Sequence, residues 1–218
     1  MTVVGSAQSV IHPGRWKDAL GLASEVSKLL GRHGARATRY MAASTAGEAT
    51  ATCVFSAEYD NMEAFGAASD GLIADQDLRS IIERSRGPAS PVTVTGQSIL
   101  TELPLERTGN RERGNYVEVH ISRVTPGRGG ELLETARDVA DFVEARGATN
   151  AQLGTIGAAG SFTGAVSMSW EFPSMRALGK LADMWLSDPA GLAIYESSMS
   201  AHPATTEIFS GIYQVIPI

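Results

Sequence analysis

Apolar residues at Trp16, Ala19, Leu20, Ala23, Val26, Leu29 and Leu30 recur at the 3.6-residue period of an amphipathic helix, and Gly34 follows as its stop. The same pattern returns at Leu132, Leu133, Ala136, Val139, Ala140 and Val143, ending at Gly147. A short strand (3–10 or 116–124) and a Pro-Gly-Arg break precede each helix. Two more strands follow, around 37–42 and 50–59 in the first half and 151–156 and 162–172 in the second. Each pair is joined by a Gly/Ala/Ser turn and predicts a hairpin. Asp60 with Glu63 forms a capping box that predicts the start of a second helix. Asp188-Pro189 sets a capping acid ahead of a first-turn proline, so this helical region breaks in two. A β-rich stretch, 91–100 or 205–215, closes each half.

The two halves are copies. Sliding the chain by 113 residues aligns it with itself without a gap, placing Pro13-Gly14-Arg15 on Pro126-Gly127-Arg128 and Ser56-x-Glu58 on Ser169-x-Glu171. Met62, Ala64, Gly66, Asp70 and Asp75 meet identical residues at Met175, Ala177, Gly179, Asp183 and Asp188. Between the copies, Glu106 to Gly114 is polar and lacks apolar periodicity, as an exposed linker does. The organisation expected is repeat 1 over 1–105, a linker over 106–114 and repeat 2 over 115–218. The order β-α-β-β-α-β in each is the ferredoxin-like split βαβ unit, whose sheet carries helices on one face only. The fold class expected is therefore α+β, with two tandem ferredoxin-like repeats covering each other's bare face, sheet to sheet, as an intrachain α+β barrel.

Short motifs carry a family resemblance. Tyr59-Asp60-Asn61-Met62-Glu63-Ala64 and Phe172-Pro173-Ser174-Met175-Arg176-Ala177 place an aromatic strand end before a polar residue and a helical Ala, and Ser187-Asp188-Pro189 follows as a turn. In these the chain resembles the dimeric α+β barrel superfamily, which includes antibiotic-biosynthesis monooxygenases, stress-responsive barrel proteins and EthD- and NIPSNAP-like proteins. The resemblance spans both repeats and implies the barrel fold with a small organic, aromatic or polyketide-like substrate. Monooxygenase-like members often carry a His on the helix four residues after that Ala; here those positions are Ala68 and Leu181, which departs from the pattern. Haem-binding tandem barrels in the same superfamily use one axial His, a role for which the resemblance offers His120 or His202.

Composition narrows the setting. With 43% hydrophobic and 19% charged residues the chain can fill a core, and no apolar run approaches membrane-spanning length. A formal net charge of -6 argues against nucleic acid and anionic membranes as partners. The lone Cys53 forms no intrachain disulfide and fits a reducing, cytoplasmic compartment. Four scattered His residues lack metal-ligand spacing, so no metal site is expected. The partner expected is a small-molecule ligand, with a homodimer of the whole chain compatible with the fold.

Candidate chemistry lies where the copies disagree. In the strand over 116–124, Val117, Val119 and Ile121 alternate with Tyr116, Glu118, His120 and Ser122. If the apolar set lies under the helices, Glu118 and His120 point into the barrel cavity, where Gly5 and Ala7 occupy the first copy. The same alternation would put Ser6 and Gln8 under the helices, so a bulge there reverses the faces. In the cavity reading His120 is a general base, Glu118 orients it or takes the second proton role, and the enzyme is cofactor-independent, acting by proton transfer or oxygenation. Tyr116, Trp170, Ser169, Tyr213, Phe209 and Arg39 are the substrate-binding candidates, with Trp170 replacing Ala57 and Tyr213 replacing Leu100. Glu58 and Glu171 recur in both copies, which favours a structural role. The non-catalytic alternative is a small-molecule-binding or assembly protein on the same scaffold.

Overall fold

A computed structural model describes residues 1–47, 51–106 and 108–218, and the side chains of all of these except Arg86. Thr50 of the expected strand and Arg107 of the expected linker lie outside the described residues. The first repeat runs β1 (Val3–Ile11), α1 (Trp16–Arg32), β2 (Ala37–Thr45), β3 (Thr52–Tyr59), α2 (Met62–Ala74), α3 (Gln76–Arg86) and β4 (Val92–Leu103). The second runs β5 (Tyr116–Val124), α4 (Gly129–Glu144), β6 (Thr149–Ala158), β7 (Val166–Phe172), α5 (Met175–Trp185), α6 (Pro189–Ser198) and β8 (Thr205–Ile216). A 3-10 turn at Gly160–Phe162 occupies the beginning of the strand expected over 162–172.

Local chemistry sets these boundaries. Gly34 and Gly147 follow the long helices with φ of +89° and +93°, the left-handed conformation that glycine adopts without a Cβ penalty. Asp188 caps α6 by accepting from the Ala190 N–H at 2.9 Å, ahead of Pro189. The cap of α2 is Asn61 rather than the expected Asp60: its Oδ1 accepts from the Ala64 N–H at 2.8 Å, the place Ser174 takes in α5.

The strands close in the order β1-β3-β2-β8-β5-β7-β6-β4 and back to β1, with antiparallel ladders throughout. Each repeat contributes four strands, and the repeats join by two edge ladders, β2 with β8 and β4 with β6. Edge pairing thus turns the two sheets into one barrel and, among the described residues, leaves no strand with an unpaired side. β5 is an interior strand, flanked by β7 and β8.

Outside the barrel, the larger core joins Phe142 and Val143 of α4 to Trp170 and Phe172 of β7 and to Leu178 and Leu181 of α5. The first repeat has smaller clusters, one of Ala23, Tyr40 and Cys53 and one of Ala57, Tyr59 and Ala68. Cys53 is a buried thiol whose pKa burial pushes up, consistent with a core residue rather than a nucleophile. Among the described residues no helix is long and apolar enough to cross a membrane.

Candidate functional site

The face assignment of β5 is the reverse of the expected one. Glu118 pairs across the ladder with Trp170, and His120 with Met168, both of which belong to the core under the helices. Trp170 in turn stacks on Trp185 of α5. Glu118 and His120 therefore sit between the sheet and the helical layer, while Val117, Val119 and Ile121 face the barrel lumen. The first repeat has the same polarity, because a Cβ at Gly5 would lie 3.1 Å from the Phe65 ring of α2. Both faces of a closed barrel's strands are covered, so apolar alternation identifies two faces without saying which is the lumen.

The expected site consequently divides. His120, Glu118 and Trp170 come together on the helix side; Tyr116 lies there too, in the core beside Phe172. Ser169, Tyr213 and Phe209 face the lumen, opposite Val119, Val117 and Ile121. Arg39 also points inward, but it is no free anion site. Its Nη1 donates to Glu171 Oε1 at 2.5 Å and its Nη2 to the Gly114 carbonyl at 3.0 Å.

Around His120 the geometry is specific. The Trp170 Nε1–H donates to Glu118 Oε2 at 2.8 Å, and the His120 ring stacks on Trp170 with centroids 4.8 Å apart. His120 Nδ1 lies 2.6 Å from Glu207 Oε2, and its Nε2 lies 3.4 Å from Glu118 Oε1. Burial of the ring opposes its charge, yet the two carboxylates outweigh that cost and push its pKa up to about 9. His120 is thus an imidazolium at neutral pH, which removes the expected general-base role. Its bond to His120 holds the Glu207 carboxyl below its ordinary value. The cluster reaches solvent through Glu207, which is 52% exposed.

Sequence reasoning missed Glu207. In β8 the pairing skips Ile208, so that Phe209 opposes Ile121 while Glu207 opposes Ser122. This β-bulge turns Glu207 onto the face of His120. Repeat 1 carries the same bulge at Thr95. The signal was present, since the 113-residue offset sets Glu207 on Val94, just as it sets Glu118 on Gly5, His120 on Ala7 and Trp170 on Ala57.

The recurring carboxylates close one end of the barrel. Glu171, 3% exposed, accepts from Arg39, from Arg113 Nη1 at 3.2 Å, from the Gly114 N–H at 2.7 Å and from Asn150 Nδ2 at 2.7 Å. Asn150 reaches it from a left-handed backbone turn with φ of 50°. Glu58 accepts from Arg113 and, at 3.4 Å, from Arg36. Arg113, itself 40% exposed, thereby ties a buried carboxylate of each repeat into one network.

The histidines do not fit an axial haem ligand as they stand. Both ring nitrogens of His120 face carboxylates, and an imidazolium has no lone pair for iron. His33 Nε2 is 2.7 Å from Asp75, in a partly buried pair at the end of α1, and His12 Nε2 is 2.8 Å from the Thr93 hydroxyl. His202 is exposed on the turn before β8. Among the described residues no group of His, Cys, Asp and Glu side chains has the arrangement of a metal site.

Comparison with known proteins places the fold. No known family profile and no curated protein matches the sequence. Solved structures do match over 99% of the chain. A protein provisionally named a monooxygenase from Fusobacterium nucleatum superposes with a TM-score of 0.61 at 10% identity, over 93% of its length. An anthrone oxidase-like protein gives 0.59 at 14%, over 91%. A chlorite dismutase variant from Candidatus Nitrospira defluvii gives 0.57 at 10%, over 92%. The architecture is that of the dimeric α+β barrels, here completed within one chain.

Proposed function

We propose that the protein is an oxygenation-type enzyme acting on a small, mainly apolar organic compound at the Glu118–His120–Glu207 cluster of the second repeat. The carrying observation is an imidazole held between two carboxylates against Trp170, at a place where the first repeat has only Gly5, Ala7, Ala57 and Val94. Structural neighbours named as a monooxygenase and as anthrone oxidase-like support the reaction class. An aromatic ketone with an acidic C–H suits the cluster. Glu207, the most exposed member, takes the proton; its bond to His120 weakens it as a base, and the charge of the same His120 offsets this by stabilising the oxyanion that forms, so that the electron-rich carbon is presented to O2. For a CH2 group the balance is one O2 consumed, one C=O formed and one water released. The chemistry calls on no haem or metal, and the setting is a reducing cytoplasm in which Cys53 stays a thiol.

The test is oxygen uptake by metal-free protein supplied with anthrone and related C–H-acidic aromatic ketones, comparing wild type with His120→Gln and Glu207→Gln. Loss of one positioned acid–base group is expected to lower the rate about a hundredfold or more. Uptake equal to wild type in both variants would sink the assignment and favour the non-catalytic binding protein.

A further inference from the structure

We propose that the barrel lumen is a second small-molecule site, separate from the His120 cluster, taking one uncharged compound that carries a hydroxyl or carbonyl group. The lumen is the face opposite the helix-side cores, and strand register assigns its lining. Ser56 pairs with Ser6 on β1, and Ser6 with Ser98 on β4; across the barrel, Ser169 and Ser167 on β7 pair with Val119 and Ile121 on β5. Five inward-facing serines in a closed barrel are unusual for a packed interior, where apolar side chains ordinarily fill the volume.

Three inward hydroxyls find no hydrogen-bonding partner among the described residues although their own residues are more than nine-tenths buried: Ser56 at 6% exposure, Ser167 at 8% and Tyr213 at 6%. Among the described residues, the side-chain atoms sealed from solvent and without a hydrogen bond are Tyr40 Oη and His120 Nε2, the latter ion-paired with Glu118 at 3.4 Å, so the three lumen hydroxyls border open space rather than packed atoms. Mid-strand Val119 and Ile121 retain partial exposure although the barrel is closed around them, which places that open space in the lumen. Buried polar groups in such a space require a partner that the protein does not supply, either water or a ligand group. Burial alone pushes the Tyr213 phenol pKa up, as expected of a hydroxyl that no protein group satisfies.

The chemistry of the ligand follows from the walls. The charged groups at the floor, Arg39, Arg113, Glu58 and Glu171, neutralise one another. Above them the lining alternates hydroxyls with Val119, Ile121 and the Tyr213 ring, which suits an apolar body with one or two hydrogen-bonding groups. Tightness limits its size. A Cβ at Gly211 would meet Tyr213 Cε2 at 3.2 Å and Ala46 Cβ at 3.0 Å, and one at Gly154 would fall inside the Leu100 side chain. A single-ring compound is therefore the size of probe to try first.

Phenol is the probe and toluene, its apolar isostere, the control, each titrated by calorimetry into wild type, into Tyr213→Phe combined with Ser56→Ala, and into His120→Gln. Wild type is expected to bind one phenol per chain, more tightly than toluene. The lumen double variant should weaken phenol by about tenfold or more and leave toluene unchanged, while His120→Gln changes neither. Near-UV circular dichroism equal to wild type confirms that the conservative variants fold. Absence of saturable phenol binding, equal affinity for phenol and toluene, or weakening by His120→Gln rather than by the lumen pair would each overturn the proposal. Because the readout is binding rather than turnover, its failure is distinct from failure of the oxygenase reading.

Discussion

Deprotonating His120 should cost the fold a measurable part of its stability, in a pH range set by two numbers. The ring has an ordinary value of 6.5 and is pushed up to about 9 by Glu118 and Glu207 against the cost of burial. At about 1.4 kcal/mol per pH unit, that gap is roughly 3 kcal/mol. The folded chain binds this proton more tightly than the unfolded one. The stabilisation is therefore complete below about pH 6.5 and is lost as pH rises through about 9. His120 is only 27% exposed, so solvent screening leaves most of the effect in place. The assay is urea unfolding of wild type and His120→Gln between pH 6 and 10. Subtracting the variant removes the contributions of Cys53 and Tyr213, whose raised values also make alkaline pH unfavourable. The wild-type advantage should shrink by about 3 kcal/mol across that range. Parallel curves, or a His120 ring resonance titrating near 6.5, would refute the ion-paired geometry and with it the catalytic assignment.

Other outcomes follow from the packing. Arg39→Ala strips the 3%-exposed Glu171 of its shortest ion pair and should cost about 3–5 kcal/mol in urea unfolding, whereas Arg39→Met with Glu171→Gln should recover much of that. Phe172→Ala, at 0% exposure, should cost about 3–5 kcal/mol through the cavity it leaves under α4 and α5. The halves 1–105 and 115–218, which we propose as the two units, should not persist as separate monomers. Each would expose two edges, β2 and β4 or β8 and β6, and light scattering should find them self-associated or, when mixed, paired one to one. Recovery of either half as a folded monomer would show that barrel closure is dispensable.

The repeat, the element order and the helix ends were legible because each has a local cause: a 3.6-residue period, a left-handed glycine, a capping acid before proline. The inside and the outside of the barrel were not. In β5 the apolar set Val117, Val119 and Ile121 looked fit for a core, and the structure spends it on the lumen. What decides the matter is distant in sequence, since Trp170 needs its indole N–H satisfied and Glu118 opposite provides the acceptor. Glu207 escaped for a similar reason. Its parity along β8 matches Phe209 and Tyr213, and only the bulge at Ile208 moves it to the other face. A bulge has no period and so leaves no trace in alternation.

Comparing the repeats position by position separates what the barrel needs from what one half has been free to change. Glu58 and Glu171 are the same in both halves, and both lie in the network that seals the barrel floor across the junction. The long-helix glycines and the β8 and β4 bulges are likewise shared, as features of the unit that both halves build. Against that constancy, Gly5, Ala7, Ala57 and Val94 become Glu118, His120, Trp170 and Glu207, and all four changes fall on one patch of the helix-side face. Structural drift would scatter such replacements and would not exchange four small or apolar side chains for a mutually bonded acid, cation, indole and acid. In the first repeat Phe65 fills the corresponding volume above Gly5, so that half keeps an ordinary apolar core. In the other half the cation and its two carboxylates sit partly exposed at the border of the larger core, with Glu207 reaching solvent. On the proposed function, turnover depends on this patch of the second repeat, and substitutions at Gly5 or Ala7 should leave it intact where those at Glu118 or His120 do not.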